Sequence, residues 1–202
     1  MTIFEWLSNN WIEIFGAITG IIYVFLEIRQ NIWLWPVGII TSAVYIIVFF
    51  SSKFYADMSL QGYYLVISCA GWYWWVRGGR RKEMEKERVG EGDVRLNVTR
   101  LKLKTGIVLL IILVFLYFLL WFVLSRLTDS PVPEWDSFIT ALSIIATWML
   151  ARKIYEHWFL WIVVNSASVI LFAARGLYPT LILYLVYLGM SFAGLKVWRR
   201  SL

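Results

Sequence analysis

The chain has 202 residues and a mass of 23.7 kDa; 60% of it is hydrophobic and only 16% charged, with mean hydropathy +0.69. Soluble domains carry about one quarter charged residues, and a chain this short leaves too much surface to hide such an apolar surplus in one core, so lipid is the expected surrounding. The formal charge of +6 does not argue for nucleic acid, because the basic residues fall in short blocks between apolar runs and never line one face.

Seven apolar stretches are long enough to read as helices crossing the ~30 Å hydrocarbon layer, where only internally bonded backbone survives. The first runs from Trp11 to Ile28. No Lys or Arg precedes it and no small-residue cleavage site follows, which argues against a cleaved signal peptide. The second, Ile32 to Phe50, carries Pro36 in its first turn, where proline is tolerated. The third, Met58 to Val76, contains Cys69, the single cysteine, which excludes an internal disulfide and a multi-cysteine metal site and reads as a small packing residue. Residues 78–104 form a basic linker of mixed sign, expected as a short solvated helix fraying into a loop and attracted to anionic lipid. The fourth stretch, Thr105 to Leu124, is a linker helix (105–125). The fifth, Phe138 to Leu150, is the shortest, and Thr140, Ser143 and Thr147 on one face turn it toward the bundle interior. His157 reads as a solvated turn residue beside Lys153 and Glu156. The sixth and seventh stretches are Trp158 to Ala174 and Thr180 to Val197.

Basic residues orient these spans. With the N-terminus outside, only Lys53, Arg126 and Arg175 of the nineteen Lys and Arg fall on the outer side. The expectation is therefore an outer N-terminus and a cytoplasmic C-terminus. The first three stretches (11–77) also resemble the last three (136–198). Phe49–Trp75 aligns with Phe172–Trp198 at an offset of 123, with Phe54-Tyr55 opposite Leu177-Tyr178, Tyr64 opposite Tyr187, Ala70-Gly71 opposite Ala193-Gly194, and Trp75 opposite Trp198. Upstream, Trp35 matches Trp161 at an offset of 126, which requires a three-residue gap. Both triplets run in the same direction, giving a 3+1+3 parallel repeat, a construction used by transporters with sites near midplane between the halves.

Polar groups inside a membrane mark helix contacts or a substrate path. Asn165 lies in the sixth stretch with Trp161 one turn before it and Ser168 one turn after. In the third, Gln61, Ser68, Trp72 and Trp75 share a stripe at 100° per residue, with Tyr64 beside it. Ser42 sits mid-depth in the second, with Trp35, Gly38 and Tyr45 on its face. A cavity of these residues suits a flat ring bearing a polar group, held by aromatic faces. The bland readings are interfacial anchoring for Trp74, with Trp75 open to either role, and a helix-to-helix bond for Asn165. Glu13 and Glu27 lie toward opposite ends of the first stretch and no carboxylate lies at midplane, which favours passive movement over ion coupling. No nucleotide-binding glycine loop, Ser–His pair or metal cluster is present in the sequence, so an enzyme is not expected, and neither is a cofactor. A scaffold or receptor stays open as a further alternative.

The residues Gln61, Leu65, Ala70, Gly71, Tyr73 and Trp75, the Trp161/Asn165 pair and the stretch Asn31–Gly38 (NIWLWPVG) resemble the PnuC nicotinamide riboside transporter family along nearly the whole chain. That resemblance implies a fold similar to the SWEET sugar carriers and an unphosphorylated vitamin as cargo. It also implies facilitated diffusion across the bacterial inner membrane, with trapping by a cytoplasmic kinase that need not touch the carrier. Gln61, Tyr73, Trp75, Trp161 and Asn165 would line the path. Leu65 and Ala70 depart from the family pattern, which has phenylalanine and tyrosine there. The related PnuT branch carries thiamine, which stays open as the alternative cargo. Self-association is left open.

Overall fold

The structure, a computed structural model, describes residues 11–51, 55–89, 97–128 and 130–202, and for residues 13, 51, 55–57 and 78–89 the backbone alone. The readings that rest on the first ten residues, Lys53, Phe54 and residues 90–96 lie outside the described residues, as do those on the side chains of Glu13, Tyr55 and 78–89. The described residues form seven helices: α1 (Trp11–Ile28), α2 (Leu34–Ser51), α3 (Tyr55–Val89), α4 (Leu103–Leu127), α5 (Pro133–Ala151), α6 (His157–Ala174) and α7 (Tyr178–Arg199). By length and composition α4, α6 and α7 can each cross a membrane, and α1 and α2 carry shorter apolar windows, Ile14–Ile28 and Leu34–Phe50. The chain divides into two compact units, Met1–Arg95 and Leu96–Leu202.

In the first unit α2 packs on both α1 and α3. The turn before it is built by Asn31, whose side-chain oxygen accepts from the Trp33 amide at 3.0 Å. The end of α1 is closed by a bond from the Asn31 amide to Leu26 O at 2.9 Å, with Gln30 at φ 52. This is the glycine-type helix stop made without glycine. α3 does not end with its apolar stretch: the helix continues through Arg77 to Val89, 35 residues in all, so the first part of the basic linker is a continuation of the third helix.

In the second unit α4 packs on α5, α5 on α6 and α6 on α7. α5, the shortest apolar stretch, is the most buried helix among the described side chains, with Ala141, Leu142, Ser143, Ile145, Ala146, Thr147, Met149, Leu150 and Ala151 all enclosed. Its hydroxyls bond back to their own helix, Ser143 to Ile139 O and Thr147 to Ser143 O, each at 2.8 Å, so they enter the interior without orphaned donors. α4 is the opposite case. It buries Leu109 against Ile145, Met149 and Ile154 and exposes most of its other apolar side chains, the pattern of a helix solvated by lipid.

The end of the linker is strapped onto the α5–α6 turn. The Thr99 amide donates to Lys153 O at 3.0 Å, the Tyr155 amide donates to Thr99 O at 2.9 Å, and the Leu101 amide donates to Glu156 Oε2 at 2.8 Å. Lys153 stands at φ 52 and the Ile154 amide closes α5 on Met149 O at 2.9 Å. Three expectations need correction. His157 is not a solvated turn residue: it opens α6 with 0% exposure, its Nδ1 2.7 Å from Ile154 O and its ring between Trp158 and Trp198. The strapped turn carries it inward with Trp158. Cys69, expected as a packing residue, is exposed: it stands about 100° around α3 from the buried Ser68, outside the buried face. The third concerns the two buried tryptophans.

Candidate functional site

Trp35 and Trp158 stand in the same local geometry. The Trp35 ring lies where a side chain on Gly71 would have to go and meets Trp75 edge-on at 5.4 Å and 89°. The Trp158 ring lies likewise on Gly194 and meets Trp198 edge-on at 5.9 Å and 78°. Each indole Nε1 is buried without a hydrogen-bond partner among the described residues. Trp158, not Trp161, is therefore the counterpart of Trp35, and no three-residue gap is needed: the offset of 123 that relates Gly71 to Gly194 and Trp75 to Trp198 also relates the two tryptophans. At that same offset Ser42 falls opposite Asn165, Ser68 opposite Ser191, and Gln30 opposite Lys153, which share the value φ 52.

The candidate residues divide between the two units. In the first, Ser42, Ser68 and Trp75 are buried, and Ser68 Oγ lies 2.9 Å from where a Cβ on Gly38 would stand, so Ser68 serves the close approach of α2 and α3. The Tyr45 hydroxyl donates to Ile12 O at 3.2 Å, an α1–α2 tie. Gln61 is half-buried. Tyr64 is half-buried beside Tyr63, with ring centroids 5.6 Å apart. Trp72 and Tyr73 are 43% and 53% exposed, and the Arg77 guanidinium lies 5.3 Å from the Tyr73 ring centroid, a cation–π contact at the end of the apolar stretch. The stripe on α3 thus splits: Ser68 and Trp75 turn inward, Trp72 outward.

In the second unit the polar groups converge. Asn165 is 5% exposed and its Nδ2 donates to Ser191 Oγ at 3.0 Å. Ser191, 2% exposed, donates in turn to Tyr187 O at 2.8 Å. Ser168 is buried one turn beyond Asn165. Trp161, one turn before it, is half-buried with its indole Nε1 sealed and unpartnered among the described residues. Such a donor is costly to leave unmade, about 1–3 kcal/mol, and Trp35 and Trp158 share the same state. Ser191 was not singled out in the sequence, although the offset of 123 from Ser68 points to it. Among the described residues no group of three or more His, Cys, Asp or Glu could hold a metal.

The family described as nicotinamide mononucleotide transporter matches residues 10–200. The nicotinamide riboside transporter PnuC of Escherichia coli (strain K12) is 29% identical, covering 95% of this chain and 86% of its own length. The riboflavin/roseoflavin transporter RibM of Streptomyces davaonensis is 27% identical, covering 93% of this chain and 84% of its own. The crystal structure of the vitamin B3 transporter PnuC superposes with a TM-score of 0.72 over 98% of this chain and 85% of that one at 22% identity, a likeness of fold.

Proposed function

The chain belongs to the nicotinamide mononucleotide transporter family, and from that premise we propose that it takes up nicotinamide riboside across the bacterial cytoplasmic membrane by facilitated diffusion. A cytoplasmic kinase then traps the cargo by phosphorylating it, which implies no contact with the carrier. The observation that carries this reading is Asn165, a buried amide on α6 whose Nδ2 is spent on Ser191, with the half-buried Trp161 one turn away. A carboxamide offers an N–H to the remaining Asn165 oxygen, and a pyridinium ring suits aromatic walls. The path-lining residues are Gln61, Tyr73, Trp75, Trp161 and Asn165, with Ser42, Tyr45, Tyr64, Ser68, Trp72 and Ser168 around them. Passive movement rests on the lack of an acidic or basic residue in the middle of any apolar stretch.

The proposed arrangement is a 3+1+3 parallel repeat similar to SWEET carriers, with triplets at 11–77 and 136–198, a basic linker at 78–104 and a linker helix at 105–125. The paired Trp–Gly contacts at one offset support it. The N-terminus lies outside and the C-terminus in the cytoplasm, on the sixteen-to-three division of basic residues. Leu65 and Ala70, which leave less stacking area and no hydroxyl where the family has aromatic rings, favour thiamine as the second reading. Titrating the tryptophan fluorescence of the purified protein with nicotinamide riboside, thiamine and nicotinamide mononucleotide tests both. Nicotinamide riboside is expected to bind tightest and the mononucleotide hardly at all; a clear preference for thiamine overturns the first reading.

A further inference from the structure

We infer that Ser191 fixes the polarity of the Asn165 amide, so that the site takes a ligand that donates an N–H to Asn165 and discriminates against one that offers only an acceptor there. The inference rests on the proposed vitamin reading and adds a specificity-determining residue to it.

The argument is one of proton counting. A serine hydroxyl has a single hydrogen to give and lone pairs to receive. Ser191 gives that hydrogen to Tyr187 O, the carbonyl one turn back on α7, at 2.8 Å. It can then only accept from Asn165, so the group facing it at 3.0 Å is the amide nitrogen and the carbonyl Oδ1 is turned away. Both residues are buried, at 5% and 2% exposure, so water does not compete freely to reverse the amide. Oδ1 has no hydrogen-bond partner among the described residues and is not one of the sealed atoms, so it stays open to a ligand, and an acceptor on a largely buried residue favours a donor. At the same offset of 123 the first unit carries Ser42 and Ser68 instead, both buried. Two hydroxyls can rotate to suit either ligand polarity. An amide locked by a serine cannot, which makes the second unit the half that imposes polarity.

The test uses full-length protein in detergent and two ligand pairs matched in ring and charge. Nicotinamide riboside is compared with its 3-acetylpyridine analogue, which keeps the carbonyl and the cation and loses only the amide N–H₂; thiamine is compared with its deamino analogue, in which hydrogen replaces the amine on the pyrimidine ring. The wild-type protein is expected to prefer the donor-bearing member of the pair it binds by about tenfold or more. Ser191→Ala frees the amide to reverse and should cut that preference to about threefold or less, while Ser191→Thr, which keeps the hydroxyl, should retain it. An unchanged preference in Ser191→Ala overturns the inference. So does a wild type that binds both members within threefold, a result that needs no variant to fold and leaves the vitamin reading standing. If the wild type binds neither pair, the vitamin reading falls and this inference with it.

Discussion

The Trp158 ring occupies the space that a side chain on Gly194 would need, and the contact repeats between Trp35 and Gly71 in the other unit. Two helices can approach this closely only where one of them has no Cβ, so the glycine and the ring act as one packing element. Gly71→Ala and Gly194→Ala should each destabilise the protein by about 1–3 kcal/mol through overpacking. Gly62 and Gly189 have nothing within 4 Å of the same position, and alanine there should be neutral or raise stability by up to about 1 kcal/mol. Thermal unfolding of the four variants in detergent, followed by size-exclusion chromatography, separates the two classes. Equal behaviour of all four would remove the tryptophan–glycine contact as a packing element.

His157 is buried against Trp158 and Trp198, and the position 123 residues earlier is Leu34, which is also fully buried. The space is therefore shaped for a medium-sized side chain, and the imidazole adds its bond to Ile154 O. His157→Ala should cost about 2–3 kcal/mol by leaving a cavity. His157→Leu should cost less than about 1.5 kcal/mol, because volume is kept. If leucine proves as damaging as alanine, the hydrogen bond matters more than the packing.

The positions of the helices were legible because apolar runs of the required length are hard to place anywhere but in a membrane, and Trp11–Ile28 coincides with α1. The register of the upstream repeat was not. Trp158 and Trp161 lie three residues apart on one helix, the Trp161/Asn165 spacing draws the eye to the wrong one, and only the ring contact with Gly194 decides between them. The burial of His157 was hidden for another reason. Its neighbours Lys153 and Glu156 read as a solvated turn, yet that turn is closed by Thr99 and Leu101, a contact more than fifty residues away in sequence that no local pattern encodes. Ser191 was missed because one serine in an apolar helix looks like any small packing residue until its partner is seen.

The strap makes its own prediction. Glu156→Ala removes the acceptor of the Leu101 amide, and the adjoining two-bond bridge between Thr99 and the α5–α6 turn should loosen with it. Amide exchange at Thr99, Leu101 and Tyr155 is expected to accelerate about tenfold, which corresponds to about 1.4 kcal/mol of local stability, while exchange within α6 and α7 stays as it was. Glu156→Gln keeps an acceptor oxygen and should lie closer to wild type. Unchanged exchange in the alanine variant would show that the backbone bridge holds the linker by itself.

Among the proposed site residues, Asn165 and Tyr45 differ in a way that separates binding from packing. The Tyr45 hydroxyl is spent on Ile12 O, so Tyr45→Phe should lower stability by about 1 kcal/mol and leave ligand affinity within about twofold. Asn165 spends only Nδ2 on the protein. Asn165→Ala deletes the acceptor offered to the ligand and should weaken binding of the preferred vitamin about ten- to hundredfold. It also leaves Ser191 with its bond to Tyr187 O intact, so unfolding should move by only a few degrees. Fluorescence titration and thermal unfolding on the same two samples give the comparison. Should Asn165→Ala bind as wild type does while losing stability, the amide is a helix-to-helix bond between α6 and α7 and the site must be sought along other residues of the path.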